Sequence, residues 1–193
     1  MPRESHDALA AMSSADAAAA LPAASAKFSG ADVLALLREH GWLKADPSRE
    51  QLAWCERAAA LLGAHVGNRA ALAELLSLVF HYDAHELLTK VENHVVLSRY
   101  AARDVIRQLA LLLLEPSPLT VDRFKEVITS LKAGLDLRGR ELFHPIRLAL
   151  AGRAGEGELD RVILLLDEAA ALKFTSPVKS ARQRILEFCA SLD

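Results

Sequence analysis

The chain has 193 residues, 52% of them apolar, so it can bury a sizeable core as one domain or as two small ones sharing a core. A net charge of −2 gives no global basic footprint of the kind that announces nucleic-acid binding by itself. No apolar run is long enough to cross a membrane: the longest, residues 109–114, is a helix turn or two, and Glu4, Asp7 and Asp16 interrupt any secretory apolar region.

Aromatic residues make up only 5% of the chain, while Ala and Leu, the least costly residues to place in a helix, are abundant. β-branched runs and Asn-Gly or Asp-Gly turns are nearly absent, so the fold reads as all-α. Residues 1–27 are Ala- and Ser-rich, contain Pro22 and have little periodicity; they are expected to form a disordered leader. From Ser29 the helical grammar is regular. Ser29 caps a helix carrying Val33, Leu34, Leu36 and Leu37, which Gly41 ends. Ser48, with Gln51 three residues on, makes a capping box for a helix bearing Leu52, Trp54, Leu61 and Leu62 and stopped by Gly63. Helices are expected over residues 69–79 and 83–90, then one longer helix over 95–115.

Pro116 and Pro118 break the chain there and divide a first helical subdomain, 28–116, from a second, 117–193. Thr120 caps a helix through Lys132, ended by Gly134. Residues 138–151 form another helix, and Gly155, Glu156 and Gly157 form a loop. Residues 158–172 are strongly apolar on one face. Ser176 caps the last helix, with Pro177 at its first position and Val178, Ala181, Ile185, Leu186 and Cys189 on its face. The expectation is a two-part helical bundle of roughly nine helices.

Catalytic signatures are missing. The chain has no Gly-x-Ser-x-Gly elbow, Walker loop or Cys-x-x-Cys pair, and no cofactor is expected. The Gly-rich stretch 152–157 precedes a helix. No strand leads into it, and Glu156 and Glu158 would repel an anion, so it reads as a helix–helix turn. His81 and His85 are spaced four apart with Asp83 and Glu86 close by, a pattern that can hold zinc. Without a third neighbouring ligand the pair reads as a polar helix face, and no metal is expected. Cys55 and Cys189 sit inside apolar patterns and read as buried thiols in a reducing cytosol. His144, beside Pro145 and Arg147, reads as a packing or RNA-facing residue rather than an acid–base catalyst.

Residues 137–166, LRGRELFHPIRLALAGRAGEGELDRVILLL, are the informative segment. They resemble the anticodon-binding end of bacterial glutamyl-tRNA synthetases. There a Gly-Lys-like pair precedes a Leu-Phe/Ile-x-Pro-Leu-Arg-Val-Ala-Leu-Thr-Gly helix, followed by a Gly/Pro loop and a Leu-rich helix. Gly139, Leu142, Phe143, Pro145, Arg147, Ala149, Leu150 and Gly152 carry the match. Val79, Phe80, His81, Tyr82 and Asp83 resemble the family's Phe-x-Tyr-Asp connection. Residues 33–42 with the capped helix at Ser48 resemble the start of its first anticodon-binding subdomain. The resemblance covers residues 28–172 and is strongest in the last third. Ala151 stands where the family has Thr, Gly157 where the loop usually has Pro, and Glu156 where it has Thr or Gly. A carboxylate there repels phosphate.

The resemblance implies a class I synthetase anticodon-binding fold and a tRNA-binding, anticodon-recognition function. It implies as partners a glutamate-type tRNA and a separate catalytic synthetase chain, and RNA-facing roles for Arg147, Arg138, Arg140, Arg153, Leu159 and Arg69. The 193 residues contain neither of the family's two nucleotide-binding signatures, one His-rich and one Lys/Ser-rich, so glutamate activation is not expected of them. The expectation is then a detached part of a glutamate–tRNA ligase or a free-standing paralogue. From 123 to 153, Arg123, Lys125, Lys132, Arg138, Arg140, Arg147 and Arg153 outnumber Glu126, Asp136 and Glu141. On charge alone a solvated helix face explains them better than an RNA surface. Arg147 lies about 100° round the helix from Ile146, which places it at the rim of the buried stripe with its guanidinium expected to be free for a base. Its bland reading is an ion pair with Glu141 or a neighbour. The alternative function is a helical protein-interaction or regulatory domain of the same fold that no longer binds tRNA. Glu156, Gly157 and the near-neutral charge favour that alternative, whereas Arg147 and the basic segment favour RNA.

Overall fold

The computed structural model describes residues 27–192, and every regular element among them is a helix. The helices are α1 (Gly30–Glu39), α2 (Arg49–Leu62) with a single 3-10 turn after it (Gly63–His65), α3 (Arg69–Phe80), α4 (Ala84–Thr89), α5 (Val91–Leu97), α6 (Ala102–Leu112), α7 (Val121–Leu135), α8 (Gly139–Ala151), α9 (Glu158–Ala171) and α10 (Ala181–Leu192). The leader expected over 1–27 lies outside the described residues, save Lys27, whose ammonium donates to the Gly67 carbonyl.

Side-chain caps set most of the starts. Ser48 and Gln51 exchange both bonds of a capping box, at 2.8 and 3.2 Å. Ser29 forms the same box with Asp32, whose carboxyl the capping bonds hold below the usual carboxylate range. Asn68, Asp83 and Thr120 cap α3, α4 and α7 by accepting from the third residue of each helix.

Three expectations are corrected. The single helix over 95–115 is two, separated by a turn at residues 98–101. The buried residues explain the break. Asn93, Val96 and Leu97 face inward from α5, and Ala102, Val105, Ile106 and Leu109 from α6. On one continuous helix these stripes would lie roughly half a turn apart, so only one could reach the core.

The last helix starts at Ala181 rather than at Pro177. Its cap is Ser180, which forms a box with Gln183 at 2.8 and 3.2 Å. Residues 175 and 176 instead bond the Trp42 carbonyl, and that bonding competes with a helix there. Finally, α7 runs through Gly134 and ends at Leu135, where Asp136 takes the left-handed conformation (φ 52°).

The helices sort into two groups by contact. α1, α2, α3 and α9 pack together, as do α4, α5, α6, α7, α8 and α10, with α8 and α10 against α9 joining the groups. The first group holds an aromatic cluster: Trp42 stacks on Phe80, and Trp54 and Phe174 meet Phe80 edge-on. Trp54 Nε1 donates to the Leu165 carbonyl of α9 at 3.3 Å. Asp167 of α9 reaches the other way, accepting from the backbone amides of Leu119 at 2.6 Å and Ala181 at 2.7 Å. Among the described residues no helix is long and apolar enough to cross a membrane.

Candidate nucleic-acid interface

Leu142, Ile146, Ala149 and Leu150 turn α8 into the core. Arg147 is buried with them, only 8% exposed, and its guanidinium is bonded on every side. Nε and Nη2 hold the two carboxylate oxygens of Asp160 at 2.8 and 2.9 Å, and Nη1 donates to the Gly155 carbonyl at 2.7 Å. One face lies 4.8 Å from the Phe143 ring centroid. The free guanidinium expected at the rim is therefore a clamp. Its ion-pair partner is Asp160 in the first turn of α9, across the loop, rather than Glu141 on its own helix. Bidentate geometry fixes both position and orientation, so Arg147 holds the 152–157 loop closed over the α8–α9 corner.

Leu159 is fully buried beneath the same loop. A side chain at Gly155 would place its Cβ 2.9 Å from Leu159 Cδ1, so any larger residue there must push the buried Leu159 methyl aside. Gly152 (φ 80°) ends α8 in the left-handed region and packs beside Tyr82 and Leu87. In this conformation Leu159 supports the loop and presents no surface to a ligand.

The other basic positions are more open. Arg138 and Arg140 are exposed at the start of α8, and Arg140 sits 3.7 Å from Glu156. Arg153 pairs with Glu74 of α3, and Arg69 at the start of α3 pairs with Glu39 of α1 at 2.8 Å. Arg69, Glu74 and Glu39 line one groove of about 640 Å³ with Leu36, His40 and Ala73. Ion pairs thus join Arg140 to the loop, Arg153 to α3 and Arg69 to α1, with a carboxylate beside each arginine. Arg123 is set apart, donating to the carbonyls of Leu112, Glu115 and Ser117.

His81 and His85 do not share a helix. His81 closes α3 and its Nε2 accepts from Trp42 Nε1 at 3.4 Å, while His85 lies exposed on α4. Among the described residues no group of three or more His, Cys, Asp or Glu side chains is placed to hold a metal ion. Cys55 is buried, and desolvation pushes its thiol up to about 11.

Arg184 is the residue that sequence reasoning missed. It is completely buried on α10 and donates to the carbonyls of Leu78 (2.9 Å), Val79 (2.6 Å), Leu150 (2.9 Å) and Lys179 (3.2 Å). These include the last turns of α3 and α8, where unpaired carbonyls and the helix dipole favour a cation. Burial lowers its pKa to about 10, so it stays charged near neutrality. Its guanidinium lies 4.6 Å from the Tyr82 ring centroid, and the Tyr82 hydroxyl donates to the Ala149 carbonyl. The signal was present: Arg184 falls three residues after Ala181 and one before Ile185, on the apolar stripe of its helix.

The anticodon binding domain family matches residues 17–173. The chain belongs to that family. Among curated relatives, the chain is 27% identical to a glutamate–tRNA ligase of Exiguobacterium sibiricum over 139 residues, 72% of this chain and 28% of the ligase. It is 29% identical to the Geobacillus thermodenitrificans enzyme over 69% of this chain and 27% of that one. A Bacillus cytotoxicus glutamate–tRNA ligase is 30% identical over 138 residues, again 27% of its length. The chain thus spans little more than a quarter of the length of the curated relatives it matches. No solved structure gives a significant match.

Proposed function

We propose that the chain binds the anticodon loop of a tRNA, of glutamate type, along a track from Arg138 and Arg140 through the 152–157 loop to Arg153 and Arg69. The observation that carries this reading is the family match over residues 17–173, together with exposed Arg69, Arg138 and Arg140 and half-buried Arg153, drawn from three elements. Exposed ion pairs contribute only about 0–1 kcal/mol, so phosphates can displace Glu156, Glu74 and Glu39 at little cost. In this reading Arg147 and Leu159 act from beneath. They give the loop the shape in which Arg153 and the loop backbone meet RNA, and a direct contact by Arg147 requires release of Asp160.

The chemistry of aminoacylation belongs, in this reading, to a catalytic part that these 193 residues do not contain. The purified chain is expected to support no glutamate-dependent pyrophosphate exchange. The deciding test is tRNA affinity across salt concentrations. Arg138→Ala and Arg140→Ala should each weaken binding modestly and reduce the slope of log affinity against log salt by about one. A chain with no affinity for tRNA at low salt sinks the proposal.

One set of observations favours a second reading, a protein-interaction domain of the same fold. Four of the named arginines already face carboxylates, and Glu156 adds a negative charge to the loop itself. Glu156→Thr separates the two: it should tighten tRNA binding in the first reading and leave any residual affinity unchanged in the second.

A further inference from the structure

The turn between α5 and α6, residues 98–101, presents a different kind of surface. Tyr100 is fully exposed, at 103% of its reference area, in a chain with few aromatic residues, and the neighbouring α5 leaves Val91 and Val95 exposed as well. Arginines flank it on both sides. Arg99 holds its guanidinium 3.2 Å from His144 Nδ1, and Arg103 and Arg107 stand one turn apart on α6. Arg103 and Arg107 line a small cleft against Cys189 and Leu192 of α10, and Arg103 also lines a larger one, about 470 Å³, with Leu88, His94 and Leu97.

The charge balance here is the reverse of that on the anticodon track. Among the described residues no carboxylate lies within ion-pair distance of Arg99, Arg103 or Arg107, whereas Arg69, Arg140, Arg147 and Arg153 each have one. Asp104, exposed on α6, is about 100° round the helix from Arg103 and about 60° from Arg107, its i, i+3 neighbour, with which it forms no ion pair. Arg99's bonded partner is a neutral ring nitrogen. Because Nδ1 accepts, the His144 proton sits on Nε2, and burial together with Arg99 keeps the imidazole below its ordinary pKa. His144 lies on α8, so its bond to Arg99 brings the α5–α6 turn against the helix whose first turn carries Arg140.

We propose that this turn is a second RNA contact, in which one unpaired base of the bound tRNA stacks on Tyr100 while Arg99, Arg103 and Arg107 hold the flanking phosphates. The proposal rests on the tRNA-binding reading and lengthens its footprint past Arg140. A polyanion suits the site because, among the described residues, none of the three arginines is held in an ion pair. The exposed ring supplies what every base can use, a flat apolar face. An acidic protein would match the charge but leaves the isolated aromatic without a use.

The experiment measures binding of unfractionated tRNA by the full chain across salt concentrations, with circular dichroism melting of each variant as the folding control. Tyr100→Ala should weaken binding about fivefold or more with an unchanged salt slope, as loss of one stacked base does, and Tyr100→Trp should restore it. The double variant Arg103→Ala/Arg107→Ala should lower the slope by about two, one for each phosphate contact. All these side chains but Arg99 are exposed, so melting should not move. Unchanged binding by both variants, while Arg138→Ala/Arg140→Ala binds less tightly, overturns the second contact and leaves the anticodon track standing. A slope change without any Tyr100 effect overturns it too, since it then reduces to unspecific charge. Failure of the unmodified chain to bind tRNA overturns both readings.

Discussion

The Arg147–Asp160 clamp makes a prediction opposite to that of a free, rim-placed arginine. Removing Arg147 strands a carboxylate that is only 24% exposed and frees the Gly155 carbonyl. Arg147→Ala should therefore lower unfolding stability by about 2–3 kcal/mol, slightly less than for a fully buried pair because Asp160 keeps some contact with water. Asp160→Ala should cost a similar amount, and in a double-mutant cycle the two losses should be far from additive; additive losses would show that the pair does not hold the loop. Sequence could place Arg147 beside the buried stripe but not name its partner, because Asp160 lies across a loop whose path is set by the left-handed turn at Gly152. Arg138 and Arg140 were legible as surface charges, and the structure leaves them there. Cys55 gives a second test at this scale. Its pKa is raised from 9.0 to about 11, so the folded state retains the proton longer than the unfolded chain does. Stability should fall as pH rises from 9 towards 11, and native Cys55 should resist iodoacetamide at pH 8 while alkylating readily in denaturant, as peptide mass spectrometry would show. Rapid native labelling would contradict the burial.

Among elements, those written in local chemistry were legible and those written in tertiary bonding were not. Ser48 with Gln51 announced α2 from sequence alone, and Asp83 and Thr120 likewise mark the helices they cap. The start of α10 was misread because Ser176-Pro177 is an equally good local signal. The choice between it and Ser180 is made elsewhere, by the Trp42 carbonyl and by Asp167, which receives the Ala181 amide. The α5–α6 break was readable in principle, as a half-turn phase slip in the apolar stripe, although no glycine or proline marks it. The caps also rank by their outward connections. Ser48→Ala should cost about 1 kcal/mol. Gln51→Ala should cost more, since its amide also donates to the Lys173 carbonyl at 3.0 Å and ties α2 to the end of α9. Equal shifts in thermal midpoint for the two variants would mean that the Lys173 bond adds nothing.

Across the whole molecule, chain order and packing order differ. Pro116 and Pro118 interrupt the chain, and we propose residues 28–116 and 117–193 as its two units along the sequence. Yet α9, from the later unit, lies against α2 and α3, and α10 lies against α4 and α6. Arg184 of α10 draws its hydrogen bonds from both sides, Leu78 and Val79 before the prolines and Leu150 and Lys179 after them. Trp54 of α2 is bonded to α9, and Asp167 of α9 holds the Leu119 amide just beyond the prolines. A break in the backbone at the prolines removes covalent continuity while leaving these contacts in place. A protease site inserted between Pro116 and Ser117, a surface segment held mainly by Arg123, should therefore yield two fragments that co-elute on size exclusion and keep the helical circular dichroism of the intact chain. They should separate only in denaturant, at a lower midpoint than the intact chain, because dissociation now adds translational entropy to unfolding. Arg184→Met in the cleaved form should lower that midpoint further, since it removes donors to carbonyls on both fragments at once. Fragments that part under native conditions would show that the shared core does not by itself hold the two units together.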